Sequence, residues 1–272
     1  MQSFSSSPRE LFATLWRNRG LTRALVHREV AARYRGSFAG ILWSLFNPIF
    51  MLAVYTFVFS VVFKARWGGG GESRSEFALV LFAGIIVFSL FAETITRAPM
   101  TIVSNPSYVK KVIFPLEILP CVALGAALFH TSVSIVVWLL AYVLLFGMPH
   151  ATALLLPLVL APLVLLTLGL SWLLASLGVY LRDVAQVVGI ATTAMMFMSP
   201  IFYPLSALPE QYQLILLLNP LTPAVEQARA VLVWGQLPDF GVLAIYLVVS
   251  AVIAWLGFAW FQKTRKGFAD VL

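Results

Sequence analysis

The chain has 272 residues, of which 61% are hydrophobic and 11% charged, against about 25% charged in ordinary globular domains. No stretch between its apolar runs is long enough to bury a core of its own, which excludes most functions of soluble proteins. The net charge of +7 is distributed in a way that sets membrane topology and meets an anionic leaflet, with no nucleic-acid partner implied.

The first 40 residues are basic and structured. No cleavable signal peptide is visible, because the first apolar run starts only at Gly40 behind a long basic region. No lipidation signal is visible either. Leu11, Phe12, Leu15 and Trp16 share one helical face opposite Arg9, Glu10 and Arg17. That pattern predicts a helix lying in the membrane surface with its aromatic face down, broken at Gly20. Residues 21–35 are helix-prone and basic, but their apolar residues do not gather on one stripe. They rest on lipid headgroups or dock a protein, and the pattern leaves both open.

The run 118–181 holds 64 residues without Asp, Glu, Lys or Arg. About 20 apolar residues cross a bilayer as a helix, so this run makes two passes, with a turn at Gly147-Met148-Pro149-His150. Uncharged stretches elsewhere complete six expected spans at 41–63, 77–96, 118–146, 152–179, 184–203 and 241–261. The fold class expected is an all-α integral membrane protein of one domain. Its parts are interface helices at 1–40, five spans at 41–203, an outer segment at 204–239, the sixth span and a tail at 262–272. Of the 18 Lys and Arg residues, 14 fall on the side of the termini and only Lys64, Arg66, Arg74 and Arg229 on the other. Basic residues accumulate in cytoplasmic loops, which places both termini in the cytoplasm.

Two connecting segments are unusual. The loop 97–116 carries Ile102, Val103, Tyr108, Val109, Val112, Ile113 and Phe114 among Lys110 and Lys111. A mere connector is short and polar. A short helix offering such side chains to water has a partner, the competing reading being that it packs back on its own chain. The outer segment is punctuated by Pro204, Pro209, Pro220 and Pro223. Pro209-Glu210 starts one short helix. Thr222-Pro223 starts another, with Thr as N-cap and Pro at the first helical position, running to Trp234 and stopping at Gly235. Two short apolar helices there re-enter the membrane as a lid or gate, or lie as a static plug; re-entry is permitted only where protein shields the backbone.

The spans hold few ionisable groups. Glu93 lies near a cytoplasmic end and reads as reaching water, and His130 as a hydrogen-bonded core histidine; both are suspects by position. Cys121 reads as buried packing, as do Met195, Met196 and Met198. There is no metal cluster, nucleophile constellation or pair of intramembrane carboxylates, which weighs against an enzyme or an ion-coupled transporter. Gly68–Gly71 lacks the continuation of a phosphate-binding loop, so no nucleotide site is expected here and the energy source is another chain, docking at 104–114. On the first span Trp43, Phe46, Phe50 and Phe57 fall within about 60° of one face, while Tyr55, Phe59 and Phe63 form a second stripe. Aromatic faces stack on sugar rings, and they also pack helices and anchor interfaces. Asn47-Pro48 is expected to kink this span, and Arg182-Asp183 to turn tightly into the fifth, with Asp favoured at its start.

Five ordered segments carry a resemblance to a family. They are Arg28-Glu29-Val30-Ala31-Ala32-Arg33-Tyr34-Arg35 leading into Gly40-Ile41-Leu42-Trp43; Asn47-Pro48; Tyr108-Val109-Lys110-Lys111-Val112-Ile113-Phe114-Pro115; Val179-Tyr180-Leu181-Arg182-Asp183-Val184; and Leu208-Pro209-Glu210 through Leu218-Asn219-Pro220-Leu221. In these the chain resembles the permease subunits of ABC exporters for lipid-linked polysaccharides, such as the O-antigen exporters. The resemblance implies a homodimer in the bacterial inner membrane with two cytoplasmic ATPase chains, which hold the ATP and magnesium. It puts the coupling helix on Asn105, Tyr108, Lys110 and Lys111. It puts the outer gate on 209–218 and 223–234, with Pro209, Glu210, Asn219, Pro220, Glu226 and Arg229. It also puts the basic interface helix on 21–35, where Arg28, Arg33 and Arg35 either bind a polyprenyl pyrophosphate or only set topology. The substrate implied is an undecaprenyl-linked polysaccharide threading between subunits, along a lining expected on the first and fifth spans. Capsule and teichoic acid exporters are the near alternatives, and a membrane enzyme on lipid-linked sugar the distant one.

Overall fold

The computed structural model describes residues 7–58, 74–110 and 114–272. The described residues form helices and connecting turns with no strand. At the N-terminus are α1 (Pro8–Arg17) and α2 (Arg19–Tyr34). The chain continues through α3 (Trp43–Tyr55), α4 (Arg74–Arg97), two four-residue helices α5 (Met100–Val103) and α6 (Pro106–Val109), and α7 (Ile118–Phe146). It closes with α8 (Leu156–Tyr180), α9 (Val184–Phe197), α10 (Glu210–Leu217), α11 (Leu221–Leu232), α12 (Phe240–Thr264) and α13 (Phe268–Val271). The tail of the expected first span at 59–63, the Gly68–Gly71 loop and residues 111–113 lie outside the described residues.

Among the described residues, five helices are long and apolar enough to cross a membrane: Gly40–Val58, Ser75–Arg97, Ile118–Phe146, Ala151–Tyr180 and Phe240–Val271. The expected fifth span is shorter than 184–203. Its helix α9 has 14 residues, about 21 Å at 1.5 Å per residue, against a hydrocarbon core of about 30 Å. It ends where Pro200 has no N–H to continue the ladder and where Asn219 Nδ2 takes the Met198 carbonyl at 3.1 Å and Ser199 Oγ at 3.0 Å.

α4 is the hub, packed against α7, α8, α9, α11 and α3, with most of its length buried. Two buried tryptophans tie the frame together, one reaching α4 and one the start of α7. Trp138 of α7 is fully buried and donates to the Leu79 carbonyl at 2.9 Å, and Trp172 of α8 is fully buried and donates to the Glu117 carbonyl at 2.8 Å. Each indole thus buries its large ring while its one polar atom stays paired. Cys121 is buried, as expected. The most extensive helix pair is α8 with α12, and glycines set its spacing. A Cβ on Gly257 would lie 2.0 Å from the Gly169 carbonyl oxygen, and one on Gly169 2.6 Å from the Ala254 Cα. Small residues let apolar helices approach until their backbones touch, the main source of attraction where lipid removes the hydrophobic drive.

The N-terminal segment differs from expectation in two ways. Its break is at Asn18, whose backbone N–H and Nδ2 both reach the Thr14 carbonyl, while Gly20 continues α2. An amide side chain that competes for the last carbonyls ends a helix more sharply than a glycine in its first turn. The apolar face of α1 also divides. Leu11 and Thr14 are buried, with α1 packed near α12, whereas Phe12 and Trp16 are exposed, with Arg19 stacked over the Trp16 ring at 4.1 Å. α2 packs on α7 of its own chain.

The outer segment departs further. α11 starts at Leu221, so Thr222 lies inside it; its N-cap is Pro220, and the Asn219 Oδ1 just before accepts the Leu221 N–H at 3.0 Å. The Thr222 hydroxyl instead donates to the Leu216 carbonyl at 2.5 Å. α11 ends at Leu232, before the expected Trp234, and Gly235 takes a φ of 63° in the turn that follows. Eight of the twelve α11 residues are buried, whereas α10 presents Tyr212, Ile215 and Leu217 outward. The anchor is Arg229, 0% exposed. Its guanidinium donates to the carbonyls of Val80 at 3.0 Å, Pro200 at 2.5 Å and Ile201 at 2.8 Å, and to Glu226 at 3.0 Å.

Two stability outcomes follow from these contacts. Gly257→Val lowers the thermal midpoint of the detergent-purified chain, because overpacking at a backbone contact costs about 1–3 kcal/mol. Arg229→Met costs about 3 kcal/mol or more by leaving buried carbonyls and Glu226 without their donor. In the same thermal assay Arg182→Ala, in an exposed turn, stays within about 0.5 kcal/mol of the parent.

Candidate functional site

The end of the bundle that carries the termini gathers the charges. Glu117 pairs with Arg265 at 2.7 Å, both side chains nearly buried. Glu29 of α2 pairs with Arg97 of α4, and Arg97 lies 3.9 Å from Glu93 one turn back. Glu93 pairs in turn with Arg33 of α2. His130 of α7 places Nδ1 2.9 and 3.0 Å from the two Glu93 oxygens; with a carboxylate as partner, Nδ1 is the donor. Arg33 Nη1 approaches the same ring nitrogen at 3.2 Å. Signs therefore alternate along Glu29, Arg97, Glu93 and Arg33 across two helices, with His130 added from a third.

This corrects the reading of Glu93 as reaching only water. Its side chain is 20% exposed and holds two partners from other helices. His130 is hydrogen-bonded, as expected, while its Nε2 is buried with no partner. Neither partner was legible from spacing, since Arg33, Glu93 and His130 lie on separate helices and no periodicity links them. Among the described residues no group of three or more His, Cys, Asp or Glu side chains could hold a metal.

A cavity of about 790 Å³ opens beside this cluster. Its floor is Arg33, Glu93 and His130, with Tyr34, Ser89, Thr131 and Ser134 around them. Its wall is α3, which brings in Trp43, Phe46, Asn47, Phe50 and Tyr55. Trp43 meets Phe46 edge-on at 5.2 Å, and Phe46 stacks on Phe50 at 5.9 Å. Three of the four expected lining aromatics thus converge here and the fourth, Phe57, does not. Tyr55 joins from the second stripe, whose Phe59 and Phe63 lie outside the described residues. The cavity is drawn from α2, α3, α4 and α7. Such a chamber presents π faces to flat apolar surfaces, hydroxyls to hydroxyls, and a cation to an anion, within the size range of small-molecule sites.

A second cavity of about 520 Å³ lies between α2 and the 96–108 segment, lined by Arg28, Glu29, Arg97, Asn105 and Tyr108 among others. Arg28 donates to the Tyr108 hydroxyl at 2.6 Å, and Tyr108 stacks on Phe114 at 4.2 Å. The expected single helix offering aliphatics to water is replaced by two short turns whose Ile102 and Val109 are buried. Pro106 and the Asn105 side chain, which donates to the Thr101 carbonyl at 3.0 Å, turn the backbone so that these residues face inward. What remains outward is Ser104, Pro106, Ser107 and Lys110; Lys111 lies outside the described residues. Arg35 is exposed at the C-cap of α2.

The expected outer-gate residues lie at the opposite end, apart from this cluster. Pro209 and Glu210 open the exposed α10, Asn219 and Pro220 form the joint, and Glu226 with Arg229 fasten α11. Arg229, expected at the outer gate, proves to be a buried tie between α11 and the carbonyls of Val80, Pro200 and Ile201. It stood among the few basic residues of its side, with nothing local to mark it as buried.

Comparisons with known proteins agree with this architecture. The model of a family described as ABC-2 type transporter matches residues 20–233. The O-antigen export system permease protein RfbA of Myxococcus xanthus is 30% identical over 262 residues, covering 96% of this chain and 98% of the relative. A protein of the same description from Klebsiella pneumoniae is 25% identical over 250 residues, covering 91% and 93%. The polysialic acid transport protein KpsM of Escherichia coli is 25% identical over 245 residues, covering 89% and 92%. With a family match over most of its length and a relative aligned nearly from end to end, the chain belongs to the ABC-2 type transporters and is a transport permease rather than an enzyme.

Proposed function

We propose that this chain is the membrane-spanning subunit of an ATP-driven exporter that carries an undecaprenyl-linked polysaccharide, of O-antigen type, out across the bacterial inner membrane. The observation that carries the substrate class is the aromatic wall of Trp43, Phe46 and Phe50 beside the Arg33, Glu93 and His130 floor. Stacking faces suit sugar rings, and guanidinium donors suit a diphosphate, with Arg28 and Arg35 flanking Arg33 on α2. The names of the relatives support the same cargo. One of them is a polysialic acid transport protein, which favours a capsular polysaccharide as the second reading.

In this reading the chain works as a homodimer with two cytoplasmic ATPase subunits that bind ATP and magnesium. The bundle crosses six times, with α9 and the residues up to Tyr203 making the fifth crossing, and both termini are cytoplasmic. Asn105, Tyr108, Lys110 and Lys111 form the ATPase contact. The exposed α10 is the moving part of the outer gate and α11 its fixed part, in keeping with their difference in burial.

The test is co-purification with the ATPase encoded beside this gene, in lipid nanodiscs. Tyr108→Ala, which loses both the Phe114 stack and the Arg28 bond, is expected to reduce ATPase retention several-fold, as is Lys111→Glu. Tyr108→Phe keeps the stack and is expected to retain most of the partner. A complex left intact by all three variants moves the docking surface elsewhere. A folded chain that binds no ATPase at all overturns the exporter reading.

A further inference from the structure

The Arg33–Glu93 pair belongs to two cavities at once. It forms part of the floor of the aromatic cavity. It also lines a separate recess of about 550 Å³, shared with Glu29, Ala32, Thr96 and Arg97. The pair is therefore the partition between a charged recess and the aromatic chamber.

Its two halves are held unequally. Glu93 is 20% exposed and fixed by His130 from α7, with Arg97 of its own helix 3.9 Å away. Arg33 is 51% exposed and sits in the last turn of α2. A guanidinium has five N–H donors in a planar fork, and the bond to Glu93 uses only Nη1. The carboxylate is thus the fixed half and the arginine the half that can turn away. Arg–diphosphate and Arg–carboxylate bonds are of the same charge-assisted kind, so a diphosphate competes with Glu93 for Arg33 on equal terms.

We propose that Glu93, oriented by His130, is a positioning residue. It is an internal counter-charge that holds Arg33 across the partition until an anionic lipid headgroup, a diphosphate ester, takes its place. Displacement neutralises the headgroup on Arg33 and opens the chamber to the sugar behind it, while Glu93 keeps His130 and the neighbouring Arg97. This rests on the headgroup reading of Arg33 given above and adds the residue that opposes it.

The experiment is equilibrium binding of farnesyl pyrophosphate to the full-length chain in nanodiscs, with inorganic pyrophosphate as a parallel arm and thermal midpoint as a control. Removing the competitor with Glu93→Gln is expected to tighten farnesyl pyrophosphate about two- to fivefold, the scale of a partly exposed ion pair. Arg33→Ala is expected to weaken it, and the double variant to match Arg33→Ala, since without the arginine there is nothing to release. Should Glu93→Gln fail to fold, Glu93→Asp draws the carboxylate back by one methylene and is expected to give a smaller gain of the same sign. Weaker binding in Arg33→Ala with no gain in either Glu93 variant overturns the counter-charge and leaves the headgroup reading standing. No effect of Arg33→Ala overturns both. Inorganic pyrophosphate binding as tightly as the farnesyl ester, with the same gain, overturns the assignment to a lipid.

Discussion

Ionised groups that enter this apolar bundle do so in company. A charge moved alone into low dielectric loses several kcal/mol of solvation, so the helices can pack only if such groups meet. Four arrangements satisfy that condition: Glu29 with Arg97, Glu93 with Arg33 and His130, Glu117 with Arg265, and Arg229 with three carbonyls and Glu226. In each, the partners come from different helices or from a helix and a distant turn. The ties that satisfy electrostatics are therefore also the ties that set tertiary geometry. The aromatic cavity exists where it does because Arg33 brings the end of α2 against α4 and α7.

The apolar contacts work in the same direction with a different logic. α8 and α12 meet backbone to backbone through Gly169 and Gly257, and the hub α4 is gripped by a buried tryptophan through its Leu79 carbonyl. These contacts make α4, α7, α8, α11 and α12 a compact frame. α3 and α10 stand outside it, each with large apolar side chains exposed. α3 and α10, which the proposals give to the cavity wall and the outer gate, thus lie at the edge of the frame.

Much of this was legible before the structure, and the reasons are physical. Span positions follow from long uncharged runs: 118–146 coincides with α7, and 152–179 lies within one residue of the apolar helical stretch Ala151–Tyr180 at each end. The aromatic face of α3 followed from helical periodicity, and three of its four residues line the cavity. The motifs also pointed to the permease family that the comparisons identify. What escaped was whatever depends on a partner far away in sequence. Glu93 reads as a carboxylate near water until α2 and α7 are placed beside it. Thr222-Pro223 has the form of a helix start, but Asn219 reaches the same backbone first. Gly20 looks like a break, yet the competing amide of Asn18 sits two residues earlier. Local signals mark the ends of elements only when no neighbouring side chain offers a better bond.

One consequence concerns α3. Apart from Pro48, no residue of this helix is buried within the subunit, although it walls the cavity. Its inner side faces the chamber and its outer side faces whatever surrounds the subunit. It is thus the least enclosed of the long apolar helices, in contrast to the deeply buried α4. A cargo with a hydrocarbon tail then has no need to pull that tail into the protein. In the proposed reading, its hydrophilic portion passes along this wall while the tail stays dissolved in the bilayer.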